Sequence, residues 1–468
     1  MQQEKKRNTF AGSIGFVLAA AGSAVGLGNI WRFPYLAAKD GGGMFLVVYL
    51  VLALTFGFTL LATELAIGRK TRTGPLTAYT RLHKKFGFLG IFASIVPLII
   101  LPYYCAIGGW VMKYFVAYLT GNGTDTVASG YFSAFTSSYA EPIIYAAIFI
   151  LLTAVIIYRG VNKGIESSSK VMMPILLVLI FGIAVFSLTL KHTDANGVTR
   201  TGLEGFKILV IPNLKGMTLR SFFNVLMDAM GQLFYSISVA MGIMITYGSY
   251  VKKEENLNKS INQIELFDTV VAFLAAVMVI PAVYTFMGSE GLQASGPSLM
   301  FVSLPKVFEA MGGVGHFVGA LFFLMVLFAA LTSSISIMEA IVASMMDKFG
   351  LSRKKAVIIE TIIALIMGIF VCLGYNGLFF DIVLPNGSHA QLLDLMDYVS
   401  NSVLMPIVAI GSCILIGWVL KPKTVIEEIE SSGCKFGRQK LYVAMIKVIA
   451  PVLLTILLLK SLGLLTII

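Results

Sequence analysis

Charged residues are scarce in this chain. Only 13% of its 468 residues are Asp, Glu, Lys or Arg, whereas 57% are hydrophobic, and the mean hydropathy is +0.87. Soluble globular domains carry roughly 25% charged residues, so this composition excludes an ordinary soluble protein. It predicts an integral membrane protein whose main surroundings are the lipid bilayer.

Cysteine and histidine are also few, with four of each. The cysteines show no paired spacing, so the sequence predicts neither a disulfide framework nor a zinc site. The histidines lie in loops or at the ends of apolar segments, which gives little support to haem ligation or to a buried serine–histidine dyad. These absences argue against an enzyme.

The net charge of +11 would suggest nucleic acid as a partner if the protein were soluble. Here, however, the Lys and Arg residues are concentrated in alternate loops, and residues 120–139 and 374–390 contain none. The positive-inside rule then predicts a cytoplasmic N-terminus and an extracellular C-terminus in the plasma membrane, and no nucleic-acid partner. The longer loop 191–220 is the exception to the alternation, and longer loops obey the rule less well.

Apolar runs of membrane-spanning length recur along the whole chain. Each span needs about 20 apolar residues. We count eleven spans, centred near Ala24, Ala53, Ile100, Ile150, Leu179, Ile237, Ala276, Leu327, Ala364, Val408 and Leu453. We therefore predict an all-α fold with a single polytopic domain over residues 1–468. A cleaved signal peptide is the alternative for the first run, but the many further spans favour a retained helix.

The first apolar run is interrupted where a membrane helix should be continuous. Its segment AGSAVGLGNIWRFP, residues 21–34, contains glycines, Asn29, Arg32 and Pro34. A glycine costs about 1 kcal/mol relative to alanine in a helix interior, and an arginine near the bilayer is costlier still. The segment thus favours a broken helix, whose freed backbone groups can bind ions when the break lines a cavity. Gly22 and Gly26 also form a GxxxG pattern, and a helix-packing face is compatible with this prediction.

A second irregular helix is predicted at the sixth span, residues 222–250. Its middle reads GQLFYSISVAMGIMITYGSY, in which polar residues and glycines interrupt the apolar run. Broken helices at corresponding positions of two halves indicate a transporter binding site. We therefore predict a 5+5 inverted repeat with broken helices 1 and 6. The repeats would be residues 1–190 and 220–420, followed by an extra helix over residues 439–465.

Several polar groups are predicted to lie at membrane depth. Glu64 lies within the second span and Asp268 about two turns into the seventh. A coupling role and a structural role in holding helices together are both compatible with Glu64. The eighth span carries four hydroxyl residues within five positions, at Thr332, Ser333, Ser334 and Ser336. Such hydroxyls can bond to the preceding helical turn, but next to two broken helices they favour oxygen ligands for a cation.

At these residues the chain resembles the neurotransmitter:sodium symporter family. The matching motifs are GSAVGLGNIWRFP, GQLFYSISVAMG, ITYGSYV and ALTSSISIM, in that order. The resemblance runs from Arg7 to the last span. It implies the broken-helix inverted-repeat fold and sodium-coupled uptake of amino acids, or their derivatives, by alternating access.

The resemblance also implies two sodium sites and a substrate site. The first sodium site would use Ala24, Asn29, Ser236 and Asp268. The second would use Gly22, Val25, Ala329, Thr332 and Ser333. The substrate would contact Ala24, Leu27, Gly28, Ile100, Tyr104, Tyr235, Ser236, Ser238, Met241, Ser333, Ser336 and Ile337. Arg32 with Asp397 would form the outer gate, and Arg7 with Asp347 the inner gate.

The same resemblance predicts which substrates are carried. Gly26 stands where family members for monoamines have an aspartate, so the substrate would be a zwitterionic amino acid that brings its own carboxylate. Met241 is adaptable and Ser238 and Ser336 are small, so apolar and aromatic side chains are expected. The two sodium sites imply two Na⁺ ions. Asp268 stands where chloride-dependent members have a neutral residue, so no chloride requirement is expected. The alternative is a non-transporting amino-acid sensor on the same scaffold, and the oligomeric state is left open.

Overall fold

The computed structural model describes residues 9–214 and 217–465. Its helices, numbered in chain order, are α1 (Ser13–Ala24), α2 (Gly28–Lys39), α3 (Gly43–Thr71), α4 (Pro75–Leu82), α5 (Lys84–Leu119), α6 (Tyr131–Ser137), α7 (Glu141–Tyr158), α8 (Val161–Thr189), α9 (Gly202–Val210), α10 (Leu219–Ser236), α11 (Ile243–Tyr250), α12 (Leu257–Gly291), α13 (Leu304–Ala310), α14 (Gly313–Phe349), α15 (Arg353–Leu373), α16 (Leu392–Val419), α17 (Lys423–Glu430) and α18 (Gln439–Ser461). Single helical turns lie at Gly123–Val127, Gly296–Ser298 and Leu299–Ser303. Two small antiparallel hairpins complete the fold, β1 (Lys191–Thr193) with β2 (Thr199–Thr201) and β3 (Ile382–Val383) with β4 (His389–Ala390).

The described residues include nine helices that are long and apolar enough to cross a membrane. They are α3, α5, α7, α8, α12, α14, α15, α16 and α18. Counting the bent pair α1 and α2 as one span raises the number to ten. The protein is therefore a mostly helical, multi-pass membrane protein. The predicted centre at Ile237 falls between α10 and α11. α11 has only 8 residues, and α10, although 18 residues long, is not apolar enough to be counted.

The first break separates α1 from α2. α1 ends at Ala24, Val25 takes an extended conformation with φ −77° and ψ 93°, and α2 leaves at an angle of 54° to α1. The break falls within the glycine-rich segment for which the sequence predicts it. Since the backbone between Ala24 and Gly28 is not part of a regular helix, several of its polar groups are available for other partners.

The second break separates α10 from α11 and is longer. Ser238 and Ala240 both have a positive φ, 54° and 62°, and Gly242 follows with 73°. Left-handed backbone is roughly 1–2 kcal/mol unfavourable for a non-glycine residue. Two such residues so close together therefore need specific partners that hold them in place.

The broken helices lie inside the helical bundle. α1 packs against α8, α12 and α14, and α11 packs against α3. The α3–α11 contact depends on two glycines, because a Cβ atom at Gly68 would collide with the Ile245 carbonyl and one at Gly248 with the Leu65 carbonyl. Large apolar side chains on the outer surfaces of α7, α8 and α15 are exposed, as expected for helices that face lipid.

Candidate functional site

The two breaks meet at a small internal cavity of about 30 Å³. By the usual criterion of roughly 10–15 Å³ per water molecule, it has room for about two waters. The cavity is lined by Ser23, Ala24, Gly26, Leu27, Gly28, Asn29, Ile100, Tyr104, Tyr235, Ser236, Ser238, Met241, Ser333 and Ile337. The lining therefore brings together every substrate residue that the sequence predicts, except Ser336. The Ser336 hydroxyl lies behind the lining, where it donates to the Thr332 carbonyl (2.9 Å) and contacts the Tyr247 hydroxyl (2.7 Å).

Direct hydrogen bonds join the two breaks to each other. The Ser238 hydroxyl donates to the Ser23 carbonyl (3.0 Å), and the Ser23 hydroxyl lies 3.1 Å from the Ser238 hydroxyl. Further out, the Gln232 side-chain amide donates to the Gly28 carbonyl (3.1 Å). Ser23 is a lining residue that the sequence reasoning missed, although it lies between Gly22 and Ala24 in the same motif.

Glu64 of α3 holds the unwound part of the second break. Its Oε1 accepts a hydrogen bond from the Ala240 backbone N–H at 2.6 Å, and its side chain is buried. Ala240 is one of the two non-glycine residues with positive φ, so this bond stabilises a backbone conformation that is unfavourable by itself. The contact favours the structural role of Glu64 over the coupling role.

A first cluster of polar groups surrounds the Asp268 carboxylate. Oδ1 accepts from the Ser236 hydroxyl (2.6 Å) and the Asn29 side-chain amide (2.9 Å), and Oδ2 accepts from the Tyr49 hydroxyl (3.2 Å). The side chains of Asn29, Ser236 and Asp268 are all buried. The tertiary structure thus brings together the predicted first-site residues from α2, α10 and α12, and adds Tyr49 from α3.

A second cluster joins the end of α1 to the middle of α14. The Ser333 hydroxyl lies 3.2–3.4 Å from three carbonyl oxygens, those of Gly22, Ser23 and Val25. The Thr332 hydroxyl bonds within α14 to the Phe328 and Ala329 carbonyls (3.0 and 3.1 Å). Three carbonyls that share one hydroxyl donor keep unused lone pairs. The predicted second-site residues are therefore adjacent in space and rich in oxygen acceptors.

The chemistry of both clusters suits an alkali cation better than a transition metal. Within the described ranges there is no group of three or more His, Cys, Asp or Glu side chains that could hold a metal ion. The clusters instead offer one carboxylate together with hydroxyl, amide and carbonyl oxygens, which are the ligands of hard cations.

A second cavity of about 310 Å³ lies next to the central one, and we call it the outer cavity because it contains the residues of the predicted outer gate. Leu27, Gly28, Tyr104 and Tyr235 line both cavities and so separate them. The predicted gate residues Arg32 and Asp397 also line the outer cavity. Asp397 accepts hydrogen bonds from the Tyr103 hydroxyl (3.0 Å) and the Asn401 amide (2.6 Å).

A cluster of aromatic side chains surrounds Phe10, near the start of α1. Phe10 is buried, and its ring lies 5.6–6.1 Å from those of Phe16, Tyr247 and Tyr250. Its backbone N–H donates to the Tyr250 carbonyl at 3.2 Å. Asp347, the predicted inner gate residue, accepts a hydrogen bond from the Gly74 N–H at 2.6 Å. Arg7, its predicted partner, lies outside the described residues.

A buried ion pair that the sequence reasoning missed contacts this aromatic cluster through Tyr250. Arg353 donates two hydrogen bonds of 2.7 Å to the Glu339 carboxylate, which also accepts from the Tyr250 hydroxyl (2.5 Å). The pair joins α11, α14 and α15. The position of Glu339 within a long apolar helix was the signal that could have revealed it.

Helices that break around a central, partly polar cavity within a multi-pass bundle define a secondary transporter. Comparison with known proteins identifies the family. The model of the sodium:neurotransmitter symporter family matches residues 7–128 and 139–466, and the chain belongs to this family.

Two sodium-dependent transporters and one solved structure are similar to this chain over most of their length. The uncharacterized sodium-dependent transporter YhdH of Bacillus subtilis is 34% identical, over 99% of this chain and 99% of that protein. The uncharacterized sodium-dependent transporter MJ1319 of Methanocaldococcus jannaschii is 31% identical, over 96% and 89%. The crystal structure of MhsT in complex with L-phenylalanine matches with a TM-score of 0.84 and 33% identity, over 97% of this chain and 100% of that one. The chain is therefore a sodium-coupled membrane transporter of a small molecule and not an enzyme.

Proposed function

We propose that this protein takes up zwitterionic amino acids with apolar or aromatic side chains, in symport with Na⁺ and without a requirement for chloride. The observation that carries the proposal is the central cavity. Among the described residues, its lining has no charged side chain but has two helix breaks and several hydroxyls. A ligand that is neutral overall but carries both charges fits such a site, because dipoles stabilise each charge without a fixed counter-charge.

The carboxylate of the substrate would bind at the first break. The Leu27 and Gly28 backbone amides are at the N-terminus of α2, where the helix dipole favours an anion. The Tyr104 hydroxyl lies 3.4 Å from the Leu27 nitrogen, so it can donate to the same group. Gly26 leaves space for this carboxylate, because a Cβ atom at residue 26 would lie 3.0 Å from the Ser333 Oγ and 3.1 Å from the Tyr104 hydroxyl.

The ammonium group and side chain of the substrate would lie on the other sides of the cavity. The Ala24 carbonyl and the Ser236 and Ser333 hydroxyls can accept from an ammonium group. Ile100, Met241 and Ile337 supply apolar surface. Because the cavity is only about 30 Å³, an amino acid enters only if side chains move, and the flexible thioether of Met241 suits that adaptation.

Two Na⁺ ions would be carried with the substrate. Asn29, Ser236, Asp268 and the Ala24 carbonyl would hold one, together with the substrate carboxylate. For this the Asn29 amide must turn its oxygen toward the ion, since its nitrogen now donates to Asp268. The carbonyls of Gly22, Val25 and Ala329, with the Thr332 and Ser333 hydroxyls, would hold the other. Each ion supplies positive charge that links the broken helices to α12 or α14.

Alternating access would open the site to one side at a time. Tyr104, Tyr235 and the Arg32–Asp397 pair would control the outer side, and Phe10, Asp347 and Arg7 the inner side. We further propose eleven spans in two inverted repeats, in the plasma membrane, with a cytoplasmic N-terminus and an extracellular C-terminus. The occurrence of one broken helix near the start of each half supports this topology.

Uptake into proteoliposomes tests the proposal. Purified protein is reconstituted, and accumulation of labelled leucine or phenylalanine is measured with an inward Na⁺ gradient, with an equal K⁺ gradient, and with Na⁺ on both sides. We expect accumulation only with the Na⁺ gradient, unchanged when gluconate replaces chloride. Tyr104→Phe keeps the ring but removes the hydroxyl, and it should weaken substrate affinity without abolishing binding of Na⁺.

The same measurements separate the transporter from a sensor. Saturable amino-acid binding without Na⁺-driven accumulation would contradict the proposal and favour the sensor. Accumulation of an acidic or basic amino acid in preference to leucine would contradict the assignment of the substrate class.

A further inference from the structure

The carboxyl group of Glu360 differs from every other buried acid described so far. It lies in α15, where the residue is only 1% exposed. Both of its side-chain oxygens are buried, and neither has a hydrogen-bond partner among the described residues. By contrast, Asp268 accepts three hydrogen bonds, Glu339 is paired with Arg353, and Glu64 accepts one backbone N–H.

Glu360 faces the protein and not the lipid. The buried positions of α15 include Val357, Glu360, Ala364 and Gly368, which recur at helical spacing along one face. This face packs against α5, α7 and α14. The exposed positions, such as Ile358, Ile362 and Ile366, lie on another face. Contact with lipid headgroups or with water at the membrane surface is therefore not open to this side chain.

The ionisable groups on the neighbouring helices cannot neutralise a negative charge at Glu360. On α5 the group within electrostatic range is the buried Cys105 thiol, which is not a cation. On α14, Glu339 is itself acidic. Arg353, two turns before Glu360 on α15 itself, directs both terminal nitrogens at Glu339, and seven residues of helix separate it from Glu360 by about 10 Å.

The remaining helix, α7, offers no counter-ion either. Its Glu141 pairs with Lys113 (2.8 Å) at one end. At the other end, the ring of Tyr158 lies under the Lys354 ammonium group, which is 5.5 Å from the ring centroid. The polar group in its middle, Thr153, is a neutral hydroxyl bonded to Ser334 and the Phe149 carbonyl.

A carboxylate in such surroundings would be an unpaired buried charge, the most unfavourable condition for an ionisable group. The neutral acid is much less unfavourable there, because it needs only modest desolvation. We infer that Glu360 is a proton-binding site, which holds its proton while α15 is packed against α5, α7 and α14, and releases it only when these helices separate enough to admit water.

The location connects this proton to the transport machinery. Cys105 directly follows Tyr104 in α5, and Tyr104 lines the central cavity. α14 carries Ser333 on the cavity and packs against α15. A movement of α5 or α14 that widens the cavity also changes the surroundings of Glu360. This functional link rests on the proposed transport function, whereas the proton site itself does not.

Infrared spectroscopy of the full-length protein in nanodiscs tests the proton site without any transport. A protonated carboxyl gives a carbonyl band separate from carboxylate bands, and the band shifts in D₂O. We expect the native protein at about pH 7 to show such a band that is missing from Glu360→Gln. Glu265→Gln is the matched control, because Glu265 is paired with Arg438 (2.9 Å) and its removal should leave the band in place. A spectrum in which Glu360→Gln removes only carboxylate absorption overturns the assignment.

Uptake against pH tests the link to transport. Gln mimics the neutral acid but cannot ionise. The uptake of each protein is expressed relative to its own uptake near pH 6. Between pH 6 and about pH 9, the relative uptake of the native protein should fall several-fold more than that of Glu360→Gln, because only native Glu360 loses its proton. Glu360→Asp should retain a pH dependence. Identical profiles for the native protein and Glu360→Gln overturn the link to transport, while the infrared result still decides the proton site.

Discussion

Asp268→Asn removes the one negatively charged side chain that we place at the first sodium site. In the structure this carboxylate accepts hydrogen bonds from Ser236 (2.6 Å), Asn29 (2.9 Å) and Tyr49 (3.2 Å). The substitution keeps the size of the side chain but replaces one oxygen with an N–H donor. We expect a weaker site for Na⁺ and a new place for an anion.

The size of the effect follows from the charge. A unit negative charge about 4 Å from Na⁺ contributes roughly 4 kcal/mol of attraction at an effective dielectric of 20. This free energy corresponds to a loss of Na⁺ affinity of about a thousandfold. The actual loss should be smaller, because the remaining polar groups rearrange and the substrate carboxylate still contacts the ion. A tenfold loss corresponds to about 1.4 kcal/mol, and we expect the loss of Na⁺ affinity to lie between these two values.

The assay measures Na⁺ affinity in two ways. One is the rise in melting temperature with Na⁺ concentration, which follows RT ln(1 + [L]/Kd) for a ligand of the folded state. The other is the Na⁺ concentration that gives half-maximal uptake. Glu265→Gln removes a carboxylate from the same helix, one turn away, but this carboxylate contacts Arg438 and is not part of the first sodium site. We expect it to change Na⁺ affinity by less than about twofold.

Replacement of chloride with gluconate at constant Na⁺ completes the test. Native uptake should be unchanged, because chloride a few ångströms from the Asp268 carboxylate would be repelled by roughly the same 4 kcal/mol. Asp268→Asn should gain stimulation by chloride. The reasoning is refuted if native uptake collapses without chloride, or if Asp268→Asn binds Na⁺ as tightly as the native protein.

Three further predictions follow from the site. Decarboxylated analogues such as tyramine should not be carried, because the lining offers no carboxylate to replace that of the substrate; uptake of tyramine comparable to that of tyrosine would contradict this. Leucine, methionine and phenylalanine should compete with labelled substrate more strongly than glutamate or lysine, since Ile100, Met241 and Ile337 line the pocket; the reverse order in a competition assay would be evidence against the apolar pocket. Glu64→Ala should lower the stability of the detergent-solubilised protein by about 1–3 kcal/mol, because the Ala240 N–H loses its buried acceptor. Glu64→Gln keeps an oxygen at this position, so its melting temperature should lie within a few degrees of that of the native protein. Equal melting temperatures for both variants would show that Glu64 does not stabilise the second break.

The sequence alone determined the features that depend on local composition. Long apolar runs with few charges predicted a multi-pass membrane protein, and the nine helices that could span a membrane confirm that class. Glycines and polar residues inside two of the apolar runs predicted interruptions, since they weaken a helix wherever it packs. The structure breaks within both segments, at Val25–Leu27 and at residues 237–242. The ordered motifs also identified the family, which the family model confirms.

Tertiary structure decided which of the polar groups meet. Ser23 touches Ser238 across 215 residues of chain, and Glu64 reaches Ala240 across 176. No periodicity encodes such pairs, because they depend on how distant helices rotate and cross. The same holds for Ser336, which faces Tyr247 and not the cavity, and for the isolation of Glu360. In the sequence, a carboxyl residue in an apolar helix looks the same whether an arginine or only apolar surface packs against it. Only the packing distinguishes Glu339, which forms an ion pair, from Glu360, which has no partner among the described residues.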